Sequence, residues 1–410
     1  MSRAPGSGTV APPVRSGRPP VWWAGVTIVL VAANLRPAVV GVAPVLAEIQ
    51  ASEGLSATAA GILTALPVLC FGLLAPAAPV LARRLGIERA LLAALAVLCA
   101  GFLVRSSGPL AALFAGTVLV GSAIAVGNVL LPSLIKRDFA HRTGLMTGLY
   151  SMAITGGATL AAGVTVPVAQ AAGLGWRGAL AVWVLFAVVA AACWLPRALR
   201  AHRPARVGGP RVGGLWRDAL AWQVTLYMGL QSLSYFAMTG WLPAVLVVRG
   251  YDPVTAGGLL SLMSGAGVLG ATVAPMVATR GRRQRGLAAV ITAMAALGLL
   301  GVLAPVGIEP VAVAVLGVAQ SAALGLSLTL VAVRASDAAD AAQLSGMAQS
   351  VGYVLAAAGP FAVGALHDVS GGWTLPLLAL LAVLVPQGTA GVLAGRNRLV
   401  RHGVPPSAGG

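Results

Sequence analysis

Long apolar stretches recur along the whole chain, and short polar segments separate them. Most stretches approach the length of about 20 residues that an α-helix needs to cross the hydrocarbon core of a membrane. Their apolar residues follow one another without the alternation that marks the strands of a membrane barrel. The pattern therefore predicts an all-α membrane protein with twelve transmembrane spans, numbered span 1 to span 12. The predicted ranges are 22–47, 57–81, 90–106, 109–135, 143–170, 176–195, 219–248, 254–278, 287–306, 310–333, 341–366 and 374–394.

The composition agrees with lipid as the main solvent of this chain. Hydrophobic residues make up 58% of its 410 residues and charged residues only 9%. Soluble domains carry roughly a quarter of charged residues, so the chain lacks the polar side chains for a water-facing surface. Cys70, Cys99 and Cys193 all lie in apolar stretches. We therefore expect neither a disulfide framework nor a thiolate metal site.

The basic residues are distributed very unevenly between the two sides of the predicted bundle. Of the 27 Lys and Arg, 23 fall on the side where span 1 begins, which we call the basic face. Only Arg105, Arg177 and Arg249 fall on the opposite face. This bias predicts a multi-pass protein of a bacterial-type plasma (inner) membrane, with both termini in the cytoplasm. Because the charge is spread over all loops of one face, it does not indicate nucleic-acid binding.

The longest polar connection, 197–218, divides the chain into two halves of six spans each. We predict an N-terminal half over 21–196, a central cytoplasmic loop over 197–218 and a C-terminal half over 219–395. Residues 1–20, rich in Pro, Gly and Ser, are predicted to form a disordered cytoplasmic tail. Residues 396–410 form a second cytoplasmic tail.

Short sequence echoes indicate that the halves are related by duplication. Residues 56–61 resemble residues 253–258, and a Gly-Trp pair precedes the last span of each half, at 175–176 and 372–373. Transporters built from repeated halves bind their substrate near the midplane, between the halves. We therefore expect a central site, with spans 5 and 8 in contact across the halves.

Arg36 is the most informative single residue. It lies 14 residues beyond Trp22, or roughly 21 Å along a helix. A charge at that depth costs at least ~2.5–3.5 kcal/mol, and such residues usually face a cavity and act there. No acidic residue is predicted at the same depth, so Arg36 indicates an anionic or strongly dipolar substrate. The alternative is an arginine that snorkels to the interface or pairs with carbonyls at a helix end.

Uncharged polar residues supply further candidates. Span 7 carries Gln231 and Tyr235 four residues apart, hence on one helix face, and span 11 repeats this pair. Such side chains can orient a small polar substrate, although they also form interhelical hydrogen bonds worth about 0.6 kcal/mol. The predicted substrate-binding residues are Arg36, Asn34, Asn128, Gln231, Tyr235, Gln349, Tyr353 and Gln320.

The energy source is less well indicated. Proton-driven carriers often use a carboxylate embedded in the membrane, and the nearest candidates here are Glu48, His367 and Asp368 at the ends of spans. We interpret these three as loop residues first and as coupling residues second. No metal site, no cofactor and no catalytic dyad is indicated, so an enzyme is not expected. The expected partners are a small-molecule substrate, with or without a coupling ion, and the lipid bilayer, and the expected state is a monomer.

Four segments resemble signatures of one transporter branch. Asn34–Val39 in span 1, 127–136 in span 4, 345–353 in span 11 and 367–373 after it are similar to motifs of the cyanate and 2-nitroimidazole permease branch (CynX/NimT) of the major facilitator superfamily. The resemblance extends over roughly 25–395. It implies the fold of that superfamily and alternating-access transport of a small anionic or polar solute, such as cyanate or a nitro-substituted aromatic compound.

Two departures from superfamily patterns affect what the resemblance implies. Arg83 stands where the motif of the loop between spans 2 and 3 has an acid, which puts the usual charge-relay gate at that loop in question. Span 5 lacks the Gly-Pro pair of antiporters, which weakens the case for a multidrug exporter. The leading prediction is a secondary active transporter for a cyanate-like or nitroimidazole-like solute. The alternative is a multidrug or metabolite efflux carrier of the same fold, with an apolar cavity that would tolerate loss of Arg36.

Overall fold

All regular secondary structure in the described residues is helical. A computed structural model describes residues 21–171, 173–201, 215–280, 284–304, 307–336 and 338–400. Within these residues, twelve helical stretches are long and apolar enough to cross a membrane, which confirms the predicted all-α fold. The predicted tail 1–20, most of the central loop (202–214) and the end of the second tail (401–410) lie outside the described residues.

The observed spans start and end within a few residues of the predicted ones. Span 6 consists of the helices Gly175–Ala181 and Trp183–Arg200, so it continues into the segment predicted as the central loop. In order, the spans cover Trp22–Glu53, Ala57–Leu74, Ile87–Arg105, Leu110–Asp138, Leu145–Ala171, Gly175–Arg200, Ala219–Val248, Pro253–Arg280, Gln284–Leu303, Glu309–Arg334, Asp340–Ser370 and Thr374–Ala394.

Span 1 is interrupted near its centre, so the prediction of one continuous helix over 22–47 is wrong there. Pro37 and Pro44 each occupy one of the first two positions of a new helical segment. A proline is well tolerated there because its missing N–H would have no partner within the helix. The segments are the helices Val21–Ala33, Pro37–Val40 and Leu46–Glu53, and the 3-10 turn Ala43–Val45.

Two glycines bring neighbouring helices against this interruption. A Cβ atom at Gly157 of span 5 would overlap the carbonyl oxygen of Ala33, and one at Gly127 of span 4 would lie 2.7 Å from Leu35 Cδ2. Small residues permit close helix approach, and at Gly157, which faces backbone, any side chain would force the helices apart. Spans 4 and 5 therefore pack directly against the residues on either side of Asn34.

Span 2 is also shorter than predicted. It ends at Leu74, and a separate helix, Ala77–Leu85, follows Pro76. Proline has no N–H to donate to the carbonyl four residues earlier, so it disfavours continuation of the helix. Arg83 and Arg84 in this second helix are exposed.

The two halves are hydrogen-bonded to each other only toward the opposite face, within the part of the chain that the structure describes. The carboxylate of Asp368 in span 11 accepts hydrogen bonds from the amides of Ala57 (3.0 Å) and Thr58 (2.7 Å) at the start of span 2, and from the Thr58 hydroxyl (2.6 Å). Ser261 Oγ of span 8 donates to the carbonyl of Thr159 in span 5 over 2.9 Å. The predicted contact between spans 5 and 8 is thus confirmed.

At the basic face, by contrast, the ion pairs between described residues join elements of the same half. Arg137 pairs with Glu88, and Arg197 with Asp138, all in the N-terminal half. In the C-terminal half, Arg334 is 3% exposed and its Nε donates to the carbonyl of Ala394 over 3.1 Å. Each half is therefore closed on itself at this face.

Other charged residues within the spans are more deeply buried than Arg36, which is half-buried as a whole. Glu309 begins span 10 and is buried, and it accepts hydrogen bonds from Arg249 (3.3 Å) and from the Tyr251 hydroxyl (3.1 Å). Arg105, which the charge distribution placed on the opposite face at the end of the predicted span 3, is the buried last residue of that span. A hydropathy pattern gives the end of a span but not what packs around its last residue, and that packing decides whether the side chain is buried.

Candidate functional site

Arg36 lies at the interruption of span 1, as the residue that precedes the helix Pro37–Val40. Its guanidinium carbon is 5.4 Å from the ring centroid of Phe236 and 5.7 Å from that of Tyr235, both in span 7. Its Nη1 atom is buried and has no hydrogen-bond partner among the described residues. The side chain thus crosses from the N-terminal half toward the C-terminal half and keeps unused donor capacity.

Aromatic rings from three spans form a continuous surface beside this guanidinium, which we call the aromatic wall. It consists of Phe71 in span 2, Tyr235 and Phe236 in span 7, and Tyr353 in span 11. The ring centroids are 5.2 Å apart for Tyr235 and Phe236, 5.8 Å for Phe71 and Tyr353, and 6.3 Å for Phe236 and Tyr353. These edge-to-face contacts are the favoured geometry of aromatic pairs, so the rings hold one another in place.

A third tyrosine packs in the same region. Tyr150 in span 5 contacts the same buried hydrophobic cluster as Tyr235 and Tyr353 of the aromatic wall. The side chain of Tyr150 is half-buried, as are those of Tyr235 and Tyr353. The site therefore offers a cation, flat apolar surfaces and hydroxyl groups that can donate or accept a hydrogen bond.

Of the predicted binding residues, Arg36, Tyr235 and Tyr353 come together as expected. Gln349 lies one turn before Tyr353 on the same helix, and its amide nitrogen donates to Ser345 Oγ over 2.9 Å. Asn128 is half-buried, next to the glycine that packs on Leu35 of span 1.

Asn34 does not join this group, although it is only two residues from Arg36. It is 2% exposed, and its amide nitrogen donates to the carbonyls of Leu30 (2.9 Å) and Phe186 (3.5 Å). The side chain therefore points to span 6 and satisfies carbonyl groups near the interruption. Residues two positions apart on a helix point to different faces, and the spacing alone does not reveal the partner of Asn34.

Gln231 and Gln320 are tied to each other inside the C-terminal half. Gln231 Nε2 donates to the backbone carbonyl of Gln320 over 2.9 Å, and its Oε1 accepts from Ser232 Oγ over 3.1 Å. Both glutamines are buried. This is the interhelical hydrogen bond that the sequence left open as the alternative, and it directs Gln231 to span 10.

The three candidates for coupling all lie at the opposite face, apart from the aromatic wall. Glu48 accepts a hydrogen bond from the amide of Trp176 at the start of span 6 (3.1 Å). The ring of His367 stacks on Trp373 with a centroid distance of 4.2 Å. Together with Asp368, they connect helix ends rather than line the Arg36 site.

The sequence did not single out two members of the aromatic wall. Phe71 and Phe236 lie in apolar spans, where a phenylalanine is indistinguishable from a packing residue. Only their proximity to Arg36 gives them a role. Among the described residues, no group of three or more His, Cys, Asp or Glu could hold a metal ion.

Comparisons with known proteins agree with this architecture. The sequence model of the family described as the Major Facilitator Superfamily matches residues 23–360 of this chain. The 2-nitroimidazole transporter of Escherichia coli (strain K12) is 41% identical over 377 residues, which cover 91% of this chain and 95% of the relative. The cyanate transport protein CynX of the same organism is 30% identical over 373 residues, which cover 87% of this chain and 94% of the relative.

A solved structure shares the fold at low sequence identity. The crystal structure of a bacterial homologue of the human lysosomal transporter Spinster, in an inward-facing and occupied conformation, matches with a TM-score of 0.75 and 15% identity. The match covers 92% of this chain and 97% of that chain. At this identity, the likeness extends to the fold alone.

Proposed function

Because the chain belongs to the major facilitator superfamily, in the branch of the cyanate and 2-nitroimidazole transporters, we propose that it moves a small planar anionic or polar solute by alternating access. Its relatives are transporters, so the chain is a multi-pass membrane transporter and not an enzyme, as the sequence predicted. The observation that carries the substrate proposal is the unpartnered donor of Arg36 beside the aromatic wall.

The chemistry of the site favours a flat, delocalised anion. A guanidinium forms two parallel N–H···O bonds to a carboxylate or a nitro group. The rings of Tyr235 and Phe236 lie 5–6 Å from the guanidinium carbon, so a planar solute bound to Arg36 contacts them with its apolar face. Each charge-assisted hydrogen bond contributes about 1.5–3 kcal/mol, enough to favour an anion over its neutral analogue.

The contacts between the halves support alternating access. The inter-half hydrogen bonds of Asp368 and Ser261 close the opposite face, while the ion pairs at the basic face lie within the N-terminal half and the hydrogen bond of Arg334 lies within the C-terminal half. Rocking of one half against the other would break the Asp368 contacts and separate Arg36 from span 7. Glu48, His367 and Asp368 remain candidates for coupling through these contacts. We assign the basic face to the cytoplasm from its 23 basic residues.

A ligand panel on the purified protein tests the substrate class. Benzoate and cyclohexanecarboxylate carry the same carboxylate, but only benzoate is flat, and 2-nitroimidazole and cyanate add a planar heterocycle and a small linear anion. Because ligand stabilisation follows mass action, we expect benzoate and 2-nitroimidazole to raise the Tm more than cyclohexanecarboxylate does. Uptake of the stabilising compound into proteoliposomes then tests transport. Equal stabilisation by the two carboxylates would contradict the role of the aromatic wall.

The alternative carrier, with an apolar cavity and a neutral lipophilic substrate, makes a different prediction. Such a carrier should transport its substrate equally well when Arg36 is replaced by alanine. Transport of the planar anions, by contrast, should be lost in Arg36→Ala and retained in Arg83→Ala, whose side chain is exposed.

A further inference from the structure

Arg105 is a buried cation without a role in the transport function proposed above. It ends span 3 and is 1% exposed. Burying a charge is costly unless its hydrogen-bond donors find partners. The ring of Phe102, 5.2 Å from the guanidinium carbon, and the carbonyl end of its own helix favour a cation here.

The hydrogen bond of Arg105 goes to the interrupted part of span 1. There the amides of Val40 and Gly41 donate to the carbonyls of Arg36 and Pro37, as in a regular helix. The carbonyl of Ala38, next in this series, accepts instead from Arg105 Nη1 over 2.8 Å. A backbone carbonyl freed by a helix interruption must find another donor in an apolar interior, and Arg105 supplies it.

From this contact we infer that Arg105 is a positioning residue for the Arg36 site. Its guanidinium fixes the helix Pro37–Val40 from the side of span 3, and Arg36 is the residue that precedes this helix. The direction of the Arg36 side chain therefore depends on where that helix begins. The inference rests on the proposed binding role of Arg36, because positioning matters only if Arg36 holds the solute.

Arg105 itself is well anchored. A Cβ atom at Gly116 of span 4 would overlap the backbone of Arg105, so spans 3 and 4 are in direct backbone contact at this level. The Nε and Nη2 atoms of Arg105 are buried without hydrogen-bond partners among the described residues. Since only one nitrogen of Arg105 donates a hydrogen bond, a lysine at this position can supply the same single hydrogen bond to the carbonyl of Ala38.

Hydrogen–deuterium exchange tests the structural part of this inference without any solute. A hydrogen bond to a charged group is worth roughly a factor of ten in an opening equilibrium. We expect amides in the peptide covering residues 33–45 to exchange about tenfold faster in Arg105→Met, and closer to the wild-type rate in Arg105→Lys. The matched control is Arg177→Met, which removes a half-exposed arginine paired with Glu53 at the same face.

Solute binding tests the functional part. We expect Arg105→Met to weaken benzoate binding about tenfold and Arg105→Lys to restore most of the affinity. In an Arg36→Ala background, with residual benzoate binding measured at high concentration, Arg105→Met should have little further effect. This non-additivity is the mark of a residue that acts through another.

The outcomes separate the two proposals. Unchanged exchange of the 33–45 peptide in Arg105→Met overturns the positioning role. Should this variant not fold, Arg105→Gln, with a shorter donor, serves in its place, and wild-type exchange there overturns the role as well. The positioning role is also overturned if Arg105→Met speeds exchange of the 33–45 peptide but lowers the affinity by the same factor in the wild-type and the Arg36→Ala backgrounds. Faster exchange in a protein that binds none of the probes would instead contradict the proposed function and leave the Ala38 contact intact.

Discussion

Spans 1 and 7 are the first spans of their halves, yet they are built differently. Span 7 is one uninterrupted helix, Ala219–Val248, and its polar residue Gln231 has partners for both amide atoms. Span 1 is interrupted, and Arg36 at the interruption keeps a buried donor without a partner among the described residues. The duplicated layout therefore places the charge in one half only.

The difference shows how the site is divided. Span 1 contributes the guanidinium, while the aromatic wall is built mainly by spans 7 and 11 of the other half. The N-terminal half adds one ring, Phe71, to its arginine, and the C-terminal half contributes the other three rings and no arginine. The proposed site is thus complete only in a conformation that brings span 1 against span 7, and the rocking of the halves proposed above would take it apart.

The largest effect is expected when span 1 loses its charge. In Arg36→Ala, the affinity for benzoate should fall by 10- to 100-fold, since charge-assisted hydrogen bonds worth about 1.5–3 kcal/mol are removed. Arg36→Lys should lie between this variant and the wild type, because an ammonium lacks the planar, two-pronged geometry. Isothermal titration calorimetry measures both. An affinity of Arg36→Ala within twofold of the wild-type value would contradict the division of the site.

The contribution of span 7 is expected to be smaller and selective. Replacing Phe236 by leucine removes a ring whose cation–π contact is worth about 0.5–2 kcal/mol. Benzoate affinity should therefore fall several-fold, and that of cyclohexanecarboxylate should change little. The matched control is Phe361→Leu in span 11, where the ring is exposed on the outside of the helix. Equal losses for both carboxylates would mean that Phe236 acts through packing.

The hydrogen-bonded contact between the two halves can be weakened at the opposite face. Asp368→Asn removes the charge that accepts three hydrogen bonds at the start of span 2. Helix N-caps are worth about 0.5–2 kcal/mol, and the exposure of Asp368 favours the lower end, so opening of this face should become two- to fivefold more frequent. Maleimide labelling of Thr64→Cys in a background without native cysteines measures the opening.

The control for this variant is Asp252→Asn. Asp252 caps span 8 by accepting from the amides of Val254 and Thr255, at 3.0 Å each, and so acts within one half. Its replacement should leave the labelling rate unchanged. If both variants label equally fast, the Asp368 contacts do not hold the halves together.

The smallest effect is expected at Gln231. In Gln231→Leu, the carbonyl of Gln320 loses its donor, and such interhelical bonds are worth about 0.6 kcal/mol in membrane proteins. The Tm should fall slightly while benzoate affinity stays unchanged, with Gln223→Leu in the same helix as the control. A clear loss of affinity would show that Gln231 contacts the solute after all, and that spans 1 and 7 both supply polar groups.

The number and order of the spans followed from the sequence because hydropathy alone determines them. The interruption of span 1 did not, since Pro37 and Pro44 are compatible with a continuous membrane helix in a hydropathy pattern. Whether a proline bends a helix or starts a new one depends on what packs beside it, here the backbone at Gly157.

The candidate binding residues were predictable because polar and charged side chains are rare inside membrane spans. A charge at mid-depth identified Arg36, and two tyrosines at helical spacing from glutamines were found with it. The glutamine Gln231 and the asparagine Asn34 carried the same signal but bond to neighbouring carbonyls. The partner of a polar side chain is a property of the packed bundle, and one sequence does not contain it.

The division of charge and rings between the halves also bears on ancestry. Two identical six-helix units related by a twofold axis would place arginine opposite arginine, or ring opposite ring, at their shared centre. The present site therefore requires two stretches of one gene that were free to diverge. Exchange of whole halves between related carriers should preserve solute binding only when one donor keeps its arginine and the other keeps its aromatic residues.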